Sequence, residues 1–264
     1  MNGLPMHPAD IPDHAQGRHG TARTGVGRSL DVYYRDRARM ARMTALNARF
    51  VPMGGLAFDL GAHVGDRTAS FLQLGASVVA LEPQPRVFRA LRLIHGRNPK
   101  VTLSAEAVGA APGSIDLFVN TANPTVSTVS RDLVTAARTA PGWRGQVWDG
   151  RARVPMTTLD LLVSEYGTPD FVKIDVEGHE FDVLSGLSTP LPALSFEFTT
   201  LQRPIASACI ERLTGLGRYE FNWSIGEEHR LRREDWISAK DITEEIAALP
   251  EAANSGDVFA RRVS

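Results

Sequence analysis

The chain has 264 residues, 43% of them hydrophobic, and a formal net charge of −1, which suits one α/β domain with a sizeable core. That near-neutral balance supplies no global pull towards nucleic acid or an anionic membrane surface. The single cysteine, Cys209, rules out an internal disulfide and fits a reducing compartment, and no apolar run reaches the ~18 residues of a bilayer span.

In chain order, residues 1–28 are rich in Gly, Pro, His and Arg with no hydrophobic period, and are expected to form a flexible tail. They also lack the apolar block of a secretion signal, so a cytoplasmic protein is expected. Residues 29–264 are expected to form one domain. It opens with a helix over 29–50, capped by Ser29, in which Met40, Met43, Leu46 and Phe50 keep helical spacing. Arg35, Arg37, Arg39, Arg42 and Arg49 make the rest of it basic. This suits a solvated edge helix, a lid over a cofactor, or a clamp for an acidic substrate.

Leu56, Ala57 and Phe58 then form a short apolar strand ending on Asp59, followed by the turn Gly61-Ala62-His63-Val64-Gly65 and a helical run closed by Gly75. A second strand, Ser77–Leu81, ends on Glu82. This is half of a doubly wound fold, whose ligand lies across the carboxyl ends of the strands. Glu82 follows Asp59 by 23 residues, where a carboxylate can take both hydroxyls of an adenosine ribose. A dinucleotide-binding G-x-G-x-x-G is absent, because Asp59 occupies the first glycine position. Close to a pyrophosphate that carboxylate is repelled, whereas close to an ammonium or sulfonium it is attracted. The D-x-G-x-x-x-G form therefore favours S-adenosylmethionine over the nicotinamide cofactor of an oxidoreductase, the main alternative.

Pro85 starts the next helix, with Val87, Phe88, Leu91 and Ile94 buried. Val101–Val108 reads as a third strand and Ser114–Val119 as an added hairpin strand. A long polar loop is expected over 120–153, with Trp143 and Trp148. Loops this long inside a domain are usually functional, and Ser127, Thr128, Trp143, Arg144 and Trp148 suit a sugar pocket. Val154–Met156 forms a short strand before a helix over Thr158–Tyr166. Asp170–Asp175 is the fourth core strand, Leu194–Phe198 the fifth, and Phe221–Ile225 and Val258–Ala260 complete the sheet. The alternation predicts about seven mostly parallel strands, the last one antiparallel, with helices on both faces.

The blocks FDLGAHVG, ALEPQP, AVGAAPGS, TTLDLL and FVKIDVEGHE, in that order over Leu56–Phe198, resemble the FkbM family of S-adenosylmethionine-dependent methyltransferases. KIDVEGHE is the most specific of them. His63 departs from the asparagine more usual there. The resemblance implies a class I methyltransferase fold with a Rossmann-like sheet, and O-methylation of a sugar, glycan or secondary metabolite. It places Asp59, Gly61, Ala62, His63, Gly65, Thr68, Glu82, Pro83, Ala107, Val108 and Asp175 around the cofactor. Asp175, Glu177 and His179 fall at the reacting end.

A hydroxyl acceptor must also lose its proton, to a general base or through a metal that lowers its pKa. His179 is the base favoured by intrinsic pKa. Asp175 then orients it, or binds a divalent metal together with Glu197. A small-molecule or glycan acceptor is expected, with no nucleic acid and no membrane span. A cofactor-binding module without catalysis, or an RNA-modifying enzyme using the arginine-rich helix, are the other readings.

Overall fold

Short buried runs of Val, Leu and Phe alternate with amphipathic helices, and the two stack into layers. The computed structural model describes residues 25–263. Among these, the main strands are β1 (Leu56–Leu60), β2 (Ser77–Leu81) and β3 (Val101–Ser104), then β7 (Phe171–Ile174), β8 (Ala193–Thr199), β9 (Tyr219–Ile225) and β10 (Ser255–Arg262). A second sheet is built from β4 (Ala107–Val108), β5 (Gly113–Val119) and β6 (Gly150–Thr157). The helices are α1 (Val26–Arg35), α2 (Arg37–Asn47), α3 (Asp66–Gln73), α4 (Pro85–His95), α5 (Arg131–Ala137), α6 (Leu159–Tyr166), α7 (Glu180–Ser185), α8 (Arg203–Leu216) and α9 (Ala239–Ala248).

The seven-stranded sheet runs β3-β2-β1-β7-β8-β10-β9. Strands β3 to β8 pair parallel, and β10 runs antiparallel between β8 and β9. One face packs Phe58, Val172 and Phe196 against α6, α7, α8 and α9. The other packs Ala57, Val78 and Phe171 against Leu46, Phe71 and Leu91 of α2, α3 and α4. The order turns back between β1 and β7, whose carboxyl ends border the crevice that such a reversal leaves. The expected fold class is present in full.

Three expectations need correction. The helix over 29–50 is two helices. Asp36 is extended (φ −84°, ψ 91°), and its carboxylate accepts from the backbone N–H of Arg39 at 2.8 Å, so capping α2 wins over continuing α1. α1 also takes in residues 26–28 of the expected tail, and Gly25 precedes it; residues 1–24 lie outside the described residues. The run Val101–Val108 divides at Glu106, which accepts from Ser104 Oγ at 2.7 Å, and β3 and β4 join different sheets.

The third correction concerns the loop over 120–153, which contains α5 and the first half of β6. Ser130 caps α5 through the N–H of Leu133 at 3.1 Å, and Leu133 and Ala137 are buried. All of Gly150–Met156 pairs with β5. Arginines at alternate positions hide that strand's period, because their stems cover the sheet; the Arg151 guanidinium lies 4.9 Å over the Phe118 ring.

Candidate active site

At the end of β1 the chain must turn sharply over β2. Gly61 takes φ +79°, and the N–H groups of Gly61 and Ala62 donate to the carbonyl of Leu81 at 2.9 and 2.8 Å. A Cβ at Gly61 would collide with the backbone carbonyl oxygen of Asp175, so the β1 and β7 loops touch here. Asp59 is buried and accepts from Thr68 Oγ1 at 2.6 Å; burial pushes its carboxyl up to about 6.

Glu82, at the end of β2, accepts from the N–H groups of His63 at 2.9 Å and Gln84 at 2.7 Å. Burial pushes its carboxyl up to about 7 despite those donors. Gln84 donates to the Pro124 carbonyl at 3.1 Å. Its Oε1 is buried with no partner among the described residues.

At the end of β7 a lysine sits inside a fully buried strand. Lys173 is 2% exposed and binds Asp175 at 3.1 Å and Asp257, on β10, at 2.8 Å. Two carboxylates around one buried ammonium supply the compensation that burial demands. Asp257 is shared with Arg67 at 3.3 Å. Glu177 takes φ +56°, and its carbonyl accepts from Thr128 Oγ1 at 2.6 Å. Glu180 accepts from the N–H groups of Val176 at 3.3 Å and Gly178 at 3.1 Å, so this acid of the EGHE run closes its own loop. Burial pushes Glu180 up to about 7.

The carboxylates of Asp175, Glu177 and Glu197 approach one another within 4.8 Å. Burial, and then the charge of Asp175, push Glu177 and Glu197 well above the usual carboxylate range. His179 Nδ1 lies 3.0 Å from Asp182 Oδ2, and its Nε2 is buried without a partner among the described residues. The His179 contact holds Asp182 below its ordinary range. With Nδ1–H donating to Asp182, Nε2 keeps a free lone pair.

One cleft, enclosing about 980 Å³ with its open mouth included, brings these groups together. Asp59, Gly61, Ala62, His63, Glu82, Pro83, Ala107, Val108, Asp175, Glu177, His179 and Glu197 all line it. Gly65 and Thr68 stand behind its wall. Gly65 packs against His95, and Thr68 reaches the cleft only through Asp59.

The acid that orients His179 is Asp182, not Asp175, which is taken up by Lys173. Sequence spacing alone allows either. Trp143, Arg144 and Trp148 do not line the cleft. The two indoles stack on each other at 6.4 Å, and Trp148 Nε1 donates to the Val126 carbonyl at 2.8 Å. The indole–carbonyl bond turns them into a brace for the segment that does reach the wall, Ser127 and Thr128. Tyr33, Arg39, Gln84, Thr125, Lys173 and Glu227 also line the cleft, and sequence motifs give no signal for most of them.

The burial of Glu82 has a measurable consequence. If Glu82 accepts two ribose hydroxyls, as its place 23 residues after Asp59 suggests, it must be ionised, so affinity for S-adenosylmethionine is expected to rise as pH increases through about 7. Calorimetry between pH 6 and 8 should show roughly a tenfold gain. Glu82→Gln should bind weakly with a flat profile, and a wild-type slope in that variant would rule Glu82 out.

Residues 59–213, more than half of the chain, match the methyltransferase FkbM domain. Among curated proteins, the chain is 27% identical over 141 residues to a hexuronic acid methyltransferase of Haloferax volcanii, covering 53% of this chain and 52% of that one. The chain thus spans about half the length of that relative. A precorrin-6y C5,15-methyltransferase from Geobacter metallireducens superposes with a TM-score of 0.44 at 14% identity, covering 84% of this chain and 86% of that one. A TehB-like S-adenosylmethionine-dependent methyltransferase from Corynebacterium glutamicum gives 0.42 at 10% identity, covering 90% and 94%. The motif-bearing loops at the strand ends and the match over 59–213 converge, and the chain belongs to the FkbM family of S-adenosylmethionine-dependent methyltransferases.

Proposed function

We propose that the protein methylates a hydroxyl oxygen of a sugar, a glycan or a related small metabolite. The observation that carries this is the pairing, in one cleft, of the buried Glu82 carboxylate with a His179 whose buried Nε2 has no partner. The hexuronic acid methyltransferase relative supports a sugar acceptor.

The cofactor fits the residues present. Glu82 would take the ribose hydroxyls, and the orphaned Oε1 of Gln84 is a buried acceptor in need of an N–H or O–H donor. Gly61 and Ala62 would pass beneath the methionine end. S-adenosylmethionine supplies the electrophilic methyl when bound. His179 Nε2 takes the acceptor's hydroxyl proton, Asp182 holds the ring in the right tautomer, and the walls align the acceptor and keep water out.

A second reading assigns proton removal to a divalent ion held by Asp175, Glu177 and Glu197. The 4.8 Å cluster of acids favours it, among the described residues.

Incubation with labelled S-adenosylmethionine and a panel of uronic acid glycosides, neutral glycosides and RNA tests the proposal. Label is expected on a carbohydrate hydroxyl. Label on RNA alone would overturn the acceptor class. Activity lost to a chelator but retained by His179→Ala would replace the histidine by the metal.

A further inference from the structure

Helix α1 differs from every other helix packed on the sheet in what holds it down. Its one buried residue is Ser29, and Val32 is 49% exposed. Among the described residues no side chain from α1 joins a hydrophobic core cluster, whereas α2 places Leu46 in one and buries Met43 completely. Its attachment is polar. The Tyr34 hydroxyl donates to the Val64 carbonyl at 2.9 Å and lies 3.1 Å from His95 Nε2. Ser29 Oγ lies 3.3 Å from His63 Nε2. The Gly25 N–H, at the helix start, donates to the Ala122 carbonyl at 2.9 Å.

Apart from the contact with His95 on α4, these ties end on the loops that wall the cofactor cleft: the glycine turn after β1 and the segment before Thr125. Tyr33 crosses between them. Its ring lines the cleft, meets the His63 ring edge-on at 5.5 Å and lies beneath the Arg39 guanidinium at 4.9 Å. At the C-terminal end, Asp36 is extended and caps α2. α2 is anchored firmly beyond that point, through its buried core residues and through Arg39, which binds Asp66 at 2.9 Å and Glu227. The chain therefore passes at a single non-helical residue from a fixed helix to one held, among the described residues, mainly by hydrogen bonds and the ring contacts of Tyr33. Segments with few buried apolar contacts open at the lowest free-energy cost, and a hinge is a few residues at an element's end that absorb the backbone change.

We propose that α1 is the lid of the cofactor cleft: it hinges at Asp36, Tyr33 supplies its inner surface against the cofactor, and the cofactor enters and leaves only when α1 lifts. This rests on the methyltransferase reading of the same cleft. It goes beyond it, because α1 lies outside the family-matched residues 59–213.

The test uses the full chain and S-adenosylhomocysteine, the demethylated cofactor, as probe. Hydrogen exchange without ligand should show the amides of 26–35 exchanging faster than those of 37–47, and saturation with the probe should slow the first set selectively. Tyr34→Phe removes a tie without changing a residue that lines the cleft and is conservative enough to fold. Losing the hydroxyl's contacts with Val64 and His95 from the closed state should raise both association and dissociation rates about fivefold in stopped flow, leaving the equilibrium constant within about twofold. A simple loss of wall contacts would raise dissociation alone, so that pattern overturns the lid. Unchanged rates, or α1 amides as protected as those of α2 before ligand is added, overturn it equally. If wild-type protein does not bind the probe at all, the cofactor reading itself fails and the lid falls with it.

Discussion

Alanine in place of Gly61 is expected to destabilise the protein by about 4 kcal/mol or more and to abolish measurable cofactor binding. The backbone there sits at φ +79°, which costs a residue with a Cβ roughly 1–2 kcal/mol by itself. The greater part comes from the collision with the Asp175 carbonyl oxygen. That atom belongs to the backbone, so no rotamer change relieves it. Either the β1 loop or the β7 loop has to move, and those loops carry the Leu81 hydrogen bonds of Gly61 and Ala62 on one side and the carboxylate of Asp175 on the other. Denaturant unfolding measures the first effect and calorimetry the second. A Gly61→Ala protein with wild-type stability and affinity would show that the two loops do not meet.

Removing the imidazole of His179 is expected to lower kcat about 10²–10⁴-fold while leaving cofactor affinity nearly unchanged. Its Nε2 is buried at the cleft wall with no hydrogen-bond partner among the described residues, while Nδ1 is committed to Asp182. An unpaired buried lone pair costs stability, and the proposed role as base to an acceptor's hydroxyl would account for it. Asp182→Asn should produce a smaller fall in kcat, roughly tenfold, because the half-exposed carboxylate orients the ring through a solvent-screened bond. Single-turnover measurements with saturating cofactor separate these effects from binding. Equal activity of His179→Ala and wild type would hand proton removal to the carboxylate cluster. A parallel loss of cofactor affinity would make the histidine a structural support.

Several parts of the site are legible from local sequence because local physics governs them. A glycine is needed where the chain reverses over β2 with positive φ, and an acid ending a buried strand needs a partner. So Asp59, Gly61, Glu82 and Asp175 stand out with no knowledge of what lies around them. The mostly parallel sheet with its antiparallel last strand follows from the alternation of elements and the handedness of their crossovers. The EGHE run is visible too, but its inner division of labour is not: Glu180 turns back to cap its own loop, and Glu177 and His179 face the cleft.

Tertiary structure alone decided which charges meet. Lys173 reads as a polar interruption of a buried strand until β10 is inserted beside β8 and brings Asp257 to it from 84 positions away. Arg39 reads as one of many arginines on a basic helix, yet its partner Glu227 stands 188 positions away. The tryptophans looked like sugar platforms from composition and became a brace once Trp148 found the Val126 carbonyl. The division has one physical cause. Backbone conformation and strand-end chemistry are set by neighbours along the chain, whereas the compensation of a buried charge is set by whichever strand the sheet order places beside it.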